Sequence, residues 1–187
     1  HLSLRRQRQM CIRDRSKDRL AKIRDSIIPV SNSLSGDIPI KYIVPWDDEK
    51  VILKNSVDMI ISQAVLEHVN DLAGSYIAMH KWLKPGGFMS HEIDFKCHRI
   101  SANWDYHWTY SDFIWKLIVG KRKYFLNRHP YSVHISSLQN SGFKIICDIK
   151  NNTESSIKRK NLAKRFIEMS DDDLTTSEVF IQAILRN

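Results

Sequence analysis

The sequence predicts an α/β fold built on a mainly parallel sheet, and a run of three elements in the middle of the chain indicates it. Val57–Ser62 is apolar at nearly every position, which is typical of a parallel strand buried on both faces. A helical pattern follows over Asp71–Leu83, and Phe88–Phe95 reads as a second strand. A strand, a helix and a strand in this order predict a right-handed crossover between two parallel neighbours.

The helix of this unit has recognisable start and stop signals. Asn70 can cap its first turn, and Leu72, Tyr76 and Met79 recur at the spacing of one helical face. Pro85-Gly86-Gly87 then predicts a turn into the second strand, since proline and glycine end helices.

The flanking segments extend the alternation of helices and strands. Before the central unit we expect a helix at Asp18–Ile28 and a strand at Ile38–Val44; after it, Cys97–Tyr110 has no apolar period and reads as a loop. The later predictions are helices at Asp112–Val119 capped by Ser111, Val133–Asn140 capped by Ser132, and Asn161–Met169, with strands at Phe143–Ile149 and Glu178–Leu185 and an antiparallel edge to the sheet.

Composition bounds the class of protein. A chain of 187 residues with 42% hydrophobic and 27% charged residues fits one soluble domain without a membrane span. Its three separated cysteines include no CxxC pair, which favours a reducing cytoplasm over a disulfide framework or a zinc ribbon.

The net charge of +8 is concentrated at the amino terminus. Residues 1–15 hold five arginines against one aspartate, and this stretch resembles translated sequencing-adapter read-through. We therefore expect 1–15 to be non-native and 16–187 to form the domain, whose remaining charge is modest.

Two short motifs stand at a characteristic spacing in VDMIISQAVLEHVNDLAGSYIAMHKWLKPGGFM, residues 57–89, where a Leu-Glu-His-Val segment precedes Leu-Lys-Pro-Gly-Gly. This tract resembles the second half of class I S-adenosylmethionine-dependent methyltransferases of the type 11 group. The tract from SHEIDFKCH to RHPYSVH also resembles a branch of these enzymes.

The resemblance implies a Rossmann-like sheet, S-adenosylmethionine as cofactor and methyl transfer to an unidentified acceptor. The family's glycine-rich cofactor loop is missing from the sequence, as is the acidic residue that follows it, so we expect an N-terminally truncated enzyme that is inactive alone. In the family's strand order, the two missing strands lie beside Val57–Ser62. We therefore expect Val57–Ser62 to pair on one side only, with Phe88–Phe95.

The resemblance also assigns residues to the cofactor. It implies that Asp47 or Asp48 faces the adenine, that the backbone at Ser62, Gln63 and Ala64 approaches the methionine part, and that His68 lies near the cofactor edge. The physical argument agrees, because ligands of open α/β sheets bind beyond the carboxyl ends of the parallel strands.

Asp94 and His98 are the candidate catalytic residues. They follow the second strand, where either could take a proton from an oxygen or nitrogen acceptor. A capping role for Asp94 and a plain surface-loop histidine are the structural alternatives. The spacing of His91, Asp94 and His98 does not bring all three to one face of a strand, so no metal site is predicted.

The loop Cys97–Tyr110, the aromatic loop, supplies a candidate wall for the acceptor-binding site. Trp104, His107 and Trp108 lie in its densest part, and Arg128 could bind an acidic acceptor group through its forked donors. The alternative is a loop folded into a satellite core. The acceptor itself stays open between a small molecule, a lipid and a glycan.

A second function class is a basic nucleic-acid-binding module. Lys158, Arg159, Lys160, Lys164 and Arg165 form the densest basic cluster. The modest charge of 16–187 and the absence of any known nucleic-acid-binding sequence pattern weigh against it.

Overall fold

The computed structural model describes residue 21 and residues 52–186. The chain divides into two compact units, His1–Val44 and Pro45–Asn187, and the features below belong to the second. The predicted segment 1–15, the predicted strand Ile38–Val44, Asp47 and Asp48 lie outside the described residues. So does the predicted helix Asp18–Ile28, apart from Ala21, which is helical.

Four strands form one sheet in the order β1-β2-β4-β3. They are β1 (Val57–Gln63), β2 (Leu83–Asp94), β3 (Phe143–Asn152) and β4 (Thr176–Leu185). Strand β2 pairs parallel with β1 and antiparallel with β4, and β3 pairs antiparallel with β4. The α/β class with an antiparallel C-terminal strand is therefore confirmed. The predicted antiparallel edge is confirmed as well, because β3 is at the edge of the described sheet and pairs antiparallel with β4.

The crossover from β1 to β2 runs through α1 (Leu72–Trp82), as predicted. Its cap is Asp71 and not Asn70, since the Asp71 carboxylate accepts a hydrogen bond from Gly74 N at 2.9 Å. A side chain at position 74 would collide with that carboxylate, so glycine preserves the cap. Strand β2 begins at Leu83 and contains Pro-Gly-Gly as an irregularity in its pairing with β1, with Gly86 at a φ of +82°.

Three more helices follow, at α2 (Asp112–Val119), α3 (Tyr131–Asn140) and α4 (Asp171–Thr175). Ser111 caps α2 as expected. Helix α3 begins two residues earlier than predicted and Ser132 is not its cap, because the Ser132 amide and hydroxyl both bond to Asp173, at 2.8 Å each. Helix α4 was not predicted. Among the described residues, no helix is long and apolar enough to cross a bilayer.

The predicted helix over Asn161–Met169 is wrong. Two short 3₁₀ turns replace it, Arg159–Asn161 and Lys164–Phe166, and the Ala163 amide donates to the Trp108 carbonyl at 3.0 Å. Apolar residues spaced by three fit a 3₁₀ turn as well as an α-helix, and this tertiary hydrogen bond takes an amide that a continuing helix would use.

The main core lies between the sheet and helices α1 and α3. Its buried members include Tyr76 from α1, Met89 from β2 and Ile181 from β4. Strand β1 was expected to be buried on both faces, yet Met59 and Ile61 are exposed, Ile61 by 63%. In the described part of the chain, helices α1 and α3 cover only the face that carries Ile60.

Candidate active site

The carboxyl ends of β1 and β2 lie side by side, as the crossover requires. Ser62 is level with His91 and Gln63 with Glu92, and the Ala64 amide continues the ladder by donating to the Glu92 carbonyl at 2.9 Å. The residues that follow the two strands therefore meet at one edge of the sheet, which is where open α/β sheets bind ligands.

The first strand end is open. Gln63 and Ala64 are exposed, and Ala64 has a φ of +51°, a conformation that a residue with a side chain seldom adopts. Ser62 faces inward, where its hydroxyl and His91 Nδ1 lie 2.7 Å apart. The backbone around Gln63 and Ala64 is thus accessible to a ligand, while Ser62 holds the strand end against β2.

A 3₁₀ turn, Leu66–His68, carries the next two site residues. Asn127 fixes this turn: its side-chain amide donates to the carbonyls of Leu66 at 2.8 Å and Val69 at 2.9 Å, and its backbone amide donates to the Glu67 carbonyl at 2.8 Å. These three bonds from a distant loop set the positions of Glu67 and His68.

Glu67 is buried, with 3% of its surface exposed. Neither carboxylate oxygen has a hydrogen-bond partner in the described structure. Burial raises the pKa of Glu67 to about 7; nearby Asp94 adds to the rise, while the backbone dipoles of Glu67 and Asp94 and the charge of His98 oppose it. Although it stands in the Leu-Glu-His-Val motif, Glu67 was not among the predicted site residues, and that motif was the signal available.

Asp94 and His98 form a pair at the end of β2. His98 Nε2 lies 3.5 Å from Asp94 Oδ2, and the Lys96 amide donates to Asp94 Oδ1 at 2.8 Å. The bond to Asp94 raises the pKa of His98 against the effect of burial. Burial disfavours the Asp94 carboxylate, yet the bonds from His98 and Lys96 outweigh it and lower the pKa of Asp94.

The backbone after β2 brings His98 back toward the first strand. His98 and Arg99 both have positive φ, at 48° and 67°, and such left-handed pairs occur where tertiary contacts over-determine a loop. The His98 ring lies 5.0 Å from the His68 ring, measured between centroids. Donor atoms of Glu67, His68 and His98 all lie within 4.8 Å of one another.

A cleft of about 280 Å³ opens beside the Asp94–His98 pair. Trp104 lines it, held by a hydrogen bond from its indole N–H to the Glu154 carbonyl at 3.1 Å. The structure thus brings three predicted site residues to one cleft. Its other lining residues are Lys96, Cys97, Arg99, Ser101, Ala102 and Asn103.

His107 and Trp108 do not line this cleft. Trp108 is buried at the centre of a second hydrophobic cluster with Leu162, Phe166 and Met169, the satellite core given above as the alternative. The His107 ring packs 4.0 Å from the Trp108 ring, and burial lowers the pKa of His107 to about 3.

Arg128 is also buried in the satellite region. Its guanidinium donates to the Tyr110 carbonyl at 2.7 Å and to Asp112 Oδ1 at 2.7 Å, and lies 4.5 Å over the Trp115 ring. These contacts use its forked donors within the protein, so it is not free to bind an acceptor in the cleft.

Asp105 anchors the aromatic loop, although it was not among the predicted site residues. Asp105 is fully buried and accepts hydrogen bonds from the Ser155 hydroxyl at 2.8 Å, the Ser156 amide at 2.9 Å and the Ser156 hydroxyl at 2.7 Å. No sequence pattern near Asp105 indicates that its hydrogen-bond donors lie fifty residues later in the chain.

The basic cluster considered for nucleic-acid binding is partly neutralised. Arg159 pairs with Asp171, and Arg165 lies 3.5 Å from Asp112. Trp104 lines the cleft beside β2, and none of the five basic residues is among the lining of that cleft.

One model of a known protein family matches the central unit of the chain. Residues 27–90, about a third of the chain, match the family model described as a methyltransferase domain. Residues 27–90 are therefore similar to part of a methyltransferase domain. The matched segment includes β1, the turn with Glu67 and His68, helix α1 and the first two thirds of β2.

Several solved structures of methyltransferases align with the chain, at low sequence identity and with TM-scores below 0.5. An S-adenosylmethionine-dependent methyltransferase from Mesorhizobium loti is 17% identical with a TM-score of 0.48, over 90% of this chain and 76% of that one. A Bacillus halodurans methyltransferase is 10% identical with a TM-score of 0.46, over 73% and 67%.

A Haloferax volcanii methyltransferase, solved in complex with its activator protein, is 13% identical with a TM-score of 0.42, over 73% of this chain. This chain spans 57% of the length of that protein. No curated protein matches the chain in sequence.

Proposed function

We propose that the protein transfers a methyl group from S-adenosylmethionine to an oxygen or nitrogen of an acceptor bound in the cleft beside Asp94 and His98. The observation that carries the proposal is the meeting of two ligand-accessible sites at one sheet edge. The open backbone at Gln63 and Ala64 ends β1, and the cleft with Trp104 adjoins the end of β2.

The described residues fit one end of such a cofactor. The exposed backbone at Gln63 and Ala64 can approach its methionine part, and His68 lies on the adjoining turn. Asp47 and Asp48 are proposed for the adenine on the family resemblance alone. The cofactor, when bound, supplies a methyl group on a sulfonium leaving group that needs little acid–base help.

The protein's own contribution is then alignment and exclusion of water. Trp104 forms one wall of the cleft, and its side chain has only two rotatable bonds. The hydrogen bond from its indole N–H to the Glu154 carbonyl limits its motion further. Asp94 and His98 offer a hydrogen-bonding pair against which an acceptor hydroxyl or amine can be oriented for in-line attack. A small molecule, a lipid headgroup or a sugar presents such a group.

The test is made on the protein expressed from its complete gene, with S-adenosylmethionine and candidate acceptors of these three classes. Asp94→Asn and His98→Ala should lower turnover by about tenfold or more, as expected for groups that orient a reacting atom. Affinity for S-adenosylhomocysteine should stay within a few-fold, because both residues lie on the acceptor side.

Asp58→Asn is the matched control, since Asp58 is an exposed carboxylate that pairs with Lys84 far from the cleft. Loss of cofactor binding in a folded Asp94 or His98 variant would show that the roles are misassigned. Full turnover in both variants would show that the cleft is not the acceptor site.

A further inference from the structure

We propose that Glu67, His68 and His98 bind a divalent transition-metal ion, with zinc as the best match. The three residues come from two different segments, the 3₁₀ turn after β1 and the loop after β2. One donor atom from each converges within 4.8 Å of the others. Binding of the ion does not depend on methyl transfer.

The donor set determines the class of ion. Two imidazoles and one carboxylate are the ligands that zinc uses in sites with three protein ligands and an open position. Donor atoms around zinc, at bonds of roughly 2.0–2.2 Å, lie about 3.3 Å apart in a tetrahedral arrangement. Drawing the three side chains inward by about 1 Å would close the site, which side-chain rotation can supply.

The cluster contains polar atoms that the protein leaves without partners. Both Glu67 carboxylate oxygens and His68 Nδ1 are buried, and none has a hydrogen bond in the described structure. A buried carboxylate is destabilising unless it is paired or coordinates a metal. A cation bound by an oxygen of Glu67 would compensate this buried carboxylate.

Both arms of the site are held in place by other residues. Asn127 fixes the turn that carries Glu67 and His68 through bonds to the turn carbonyls. Asp94 holds one nitrogen of His98, and a carboxylate behind a histidine is the usual outer support of a metal-binding imidazole. Asp94 would then act as a positioning residue for His98.

The location gives the ion a use. His98 lines the acceptor cleft and also belongs to the cluster, so an ion held there would border the cleft. An open coordination position could then take an acceptor hydroxyl and lower its pKa. This consequence rests on the proposed function, whereas the binding itself is measured without cofactor or acceptor.

The experiment titrates Zn²⁺ into the chelator-treated 187-residue chain by calorimetry, with Co²⁺ absorption as the second readout. We expect one ion per chain, and a higher melting temperature in the presence of zinc. Glu67→Gln, His68→Ala and His98→Ala should each weaken Zn²⁺ affinity by tenfold or more and alter or abolish the Co²⁺ spectrum.

Glu67→Gln is the key variant, because it keeps the shape of the side chain and removes a buried charge, so the fold should persist. His129→Ala and Cys97→Ser are matched controls that remove another histidine and the nearest thiol, and their Zn²⁺ affinity should be unchanged. Absence of stoichiometric binding would overturn the proposal. So would zinc affinity that survives in folded Glu67→Gln, His68→Ala and His98→Ala, or that depends on the two control residues.

Discussion

Arg128 and Asp112 form an ion pair in which one partner is buried and the other is not. Nη2 of Arg128 donates to Asp112 Oδ1 at 2.7 Å, with side-chain exposures of 1% and 66%. Burial is the main cause that lowers the pKa of Arg128, to about 10, so the group stays cationic at neutral pH. Its charge is compensated by carbonyls, by Asp112 and by the Trp115 face, which makes it a structural tie between loops.

Arg128→Lys should therefore destabilise the fold. A lysine can satisfy only part of the forked contacts with Tyr110 and Asp112, and hydrogen bonds to charged groups contribute about 1.5–3 kcal/mol each. We expect the free energy of unfolding to fall by about 2 kcal/mol, measured by urea denaturation. Arg99→Lys, at an exposed arginine, is the control and should change stability by less than about 0.5 kcal/mol. Equal stability of Arg128→Lys and the wild type would contradict a structural role for Arg128.

Acidification should destabilise the protein through buried histidines. Burial lowers the pKa of His91 to about 4 and of His134 to about 3, and His134 Nδ1 lies 3.1 Å from the Tyr76 hydroxyl. An unfolded histidine titrates near 6.5, so below that pH the unfolded state binds more protons than the folded state. Stability from His91 is thus complete above about pH 6.5 and is lost as the pH falls toward 4.

The measurement is the free energy of unfolding from pH 7 to 4.5. Each such histidine contributes a slope of up to about 1.4 kcal/mol per pH unit. His91→Gln should make the curve shallower by up to that amount. Ser62→Ala removes the hydrogen-bond partner of His91 but no titrating group. It should lower the free energy of unfolding and leave the slope of the pH curve unchanged. Identical slopes for the wild type and His91→Gln would show that His91 is not held neutral.

The 187-residue chain alone should bind S-adenosylhomocysteine weakly or not at all. Its six glycines include no glycine-rich turn after a strand, and the family resemblance assigns the closest cofactor contacts to that turn. Calorimetry with the purified chain tests this, using a methyltransferase of known S-adenosylhomocysteine affinity as the positive control. Low-micromolar affinity of the chain would show that Ser62, Gln63, Ala64 and their neighbours suffice.

Local patterns predicted the central unit well because each of its signals acts over a few residues. The apolar run of β1, the helical spacing of Leu72, Tyr76 and Met79, and Pro-Gly-Gly all describe backbone preferences that neighbouring residues enforce. The errors also have local causes. Asp71 competed with Asn70 for the same cap, and the spacing of three residues between Ala163, Phe166 and Met169 suits two kinds of turn.

The sequence by itself determined that β1 and β2 are parallel neighbours, because a crossover helix between two strands allows little else, and it placed Asp94 and His98 at the end of β2. Only the tertiary structure decided which side chains meet there. Glu67 became a buried carboxylate near His98, with no hydrogen-bond partner among the described residues, whereas Trp108 and Arg128 are buried in and beside the satellite core. Burial and pairing of a side chain depend on residues brought together from distant segments, such as Asn127 against Glu67, and no short-range pattern encodes those contacts.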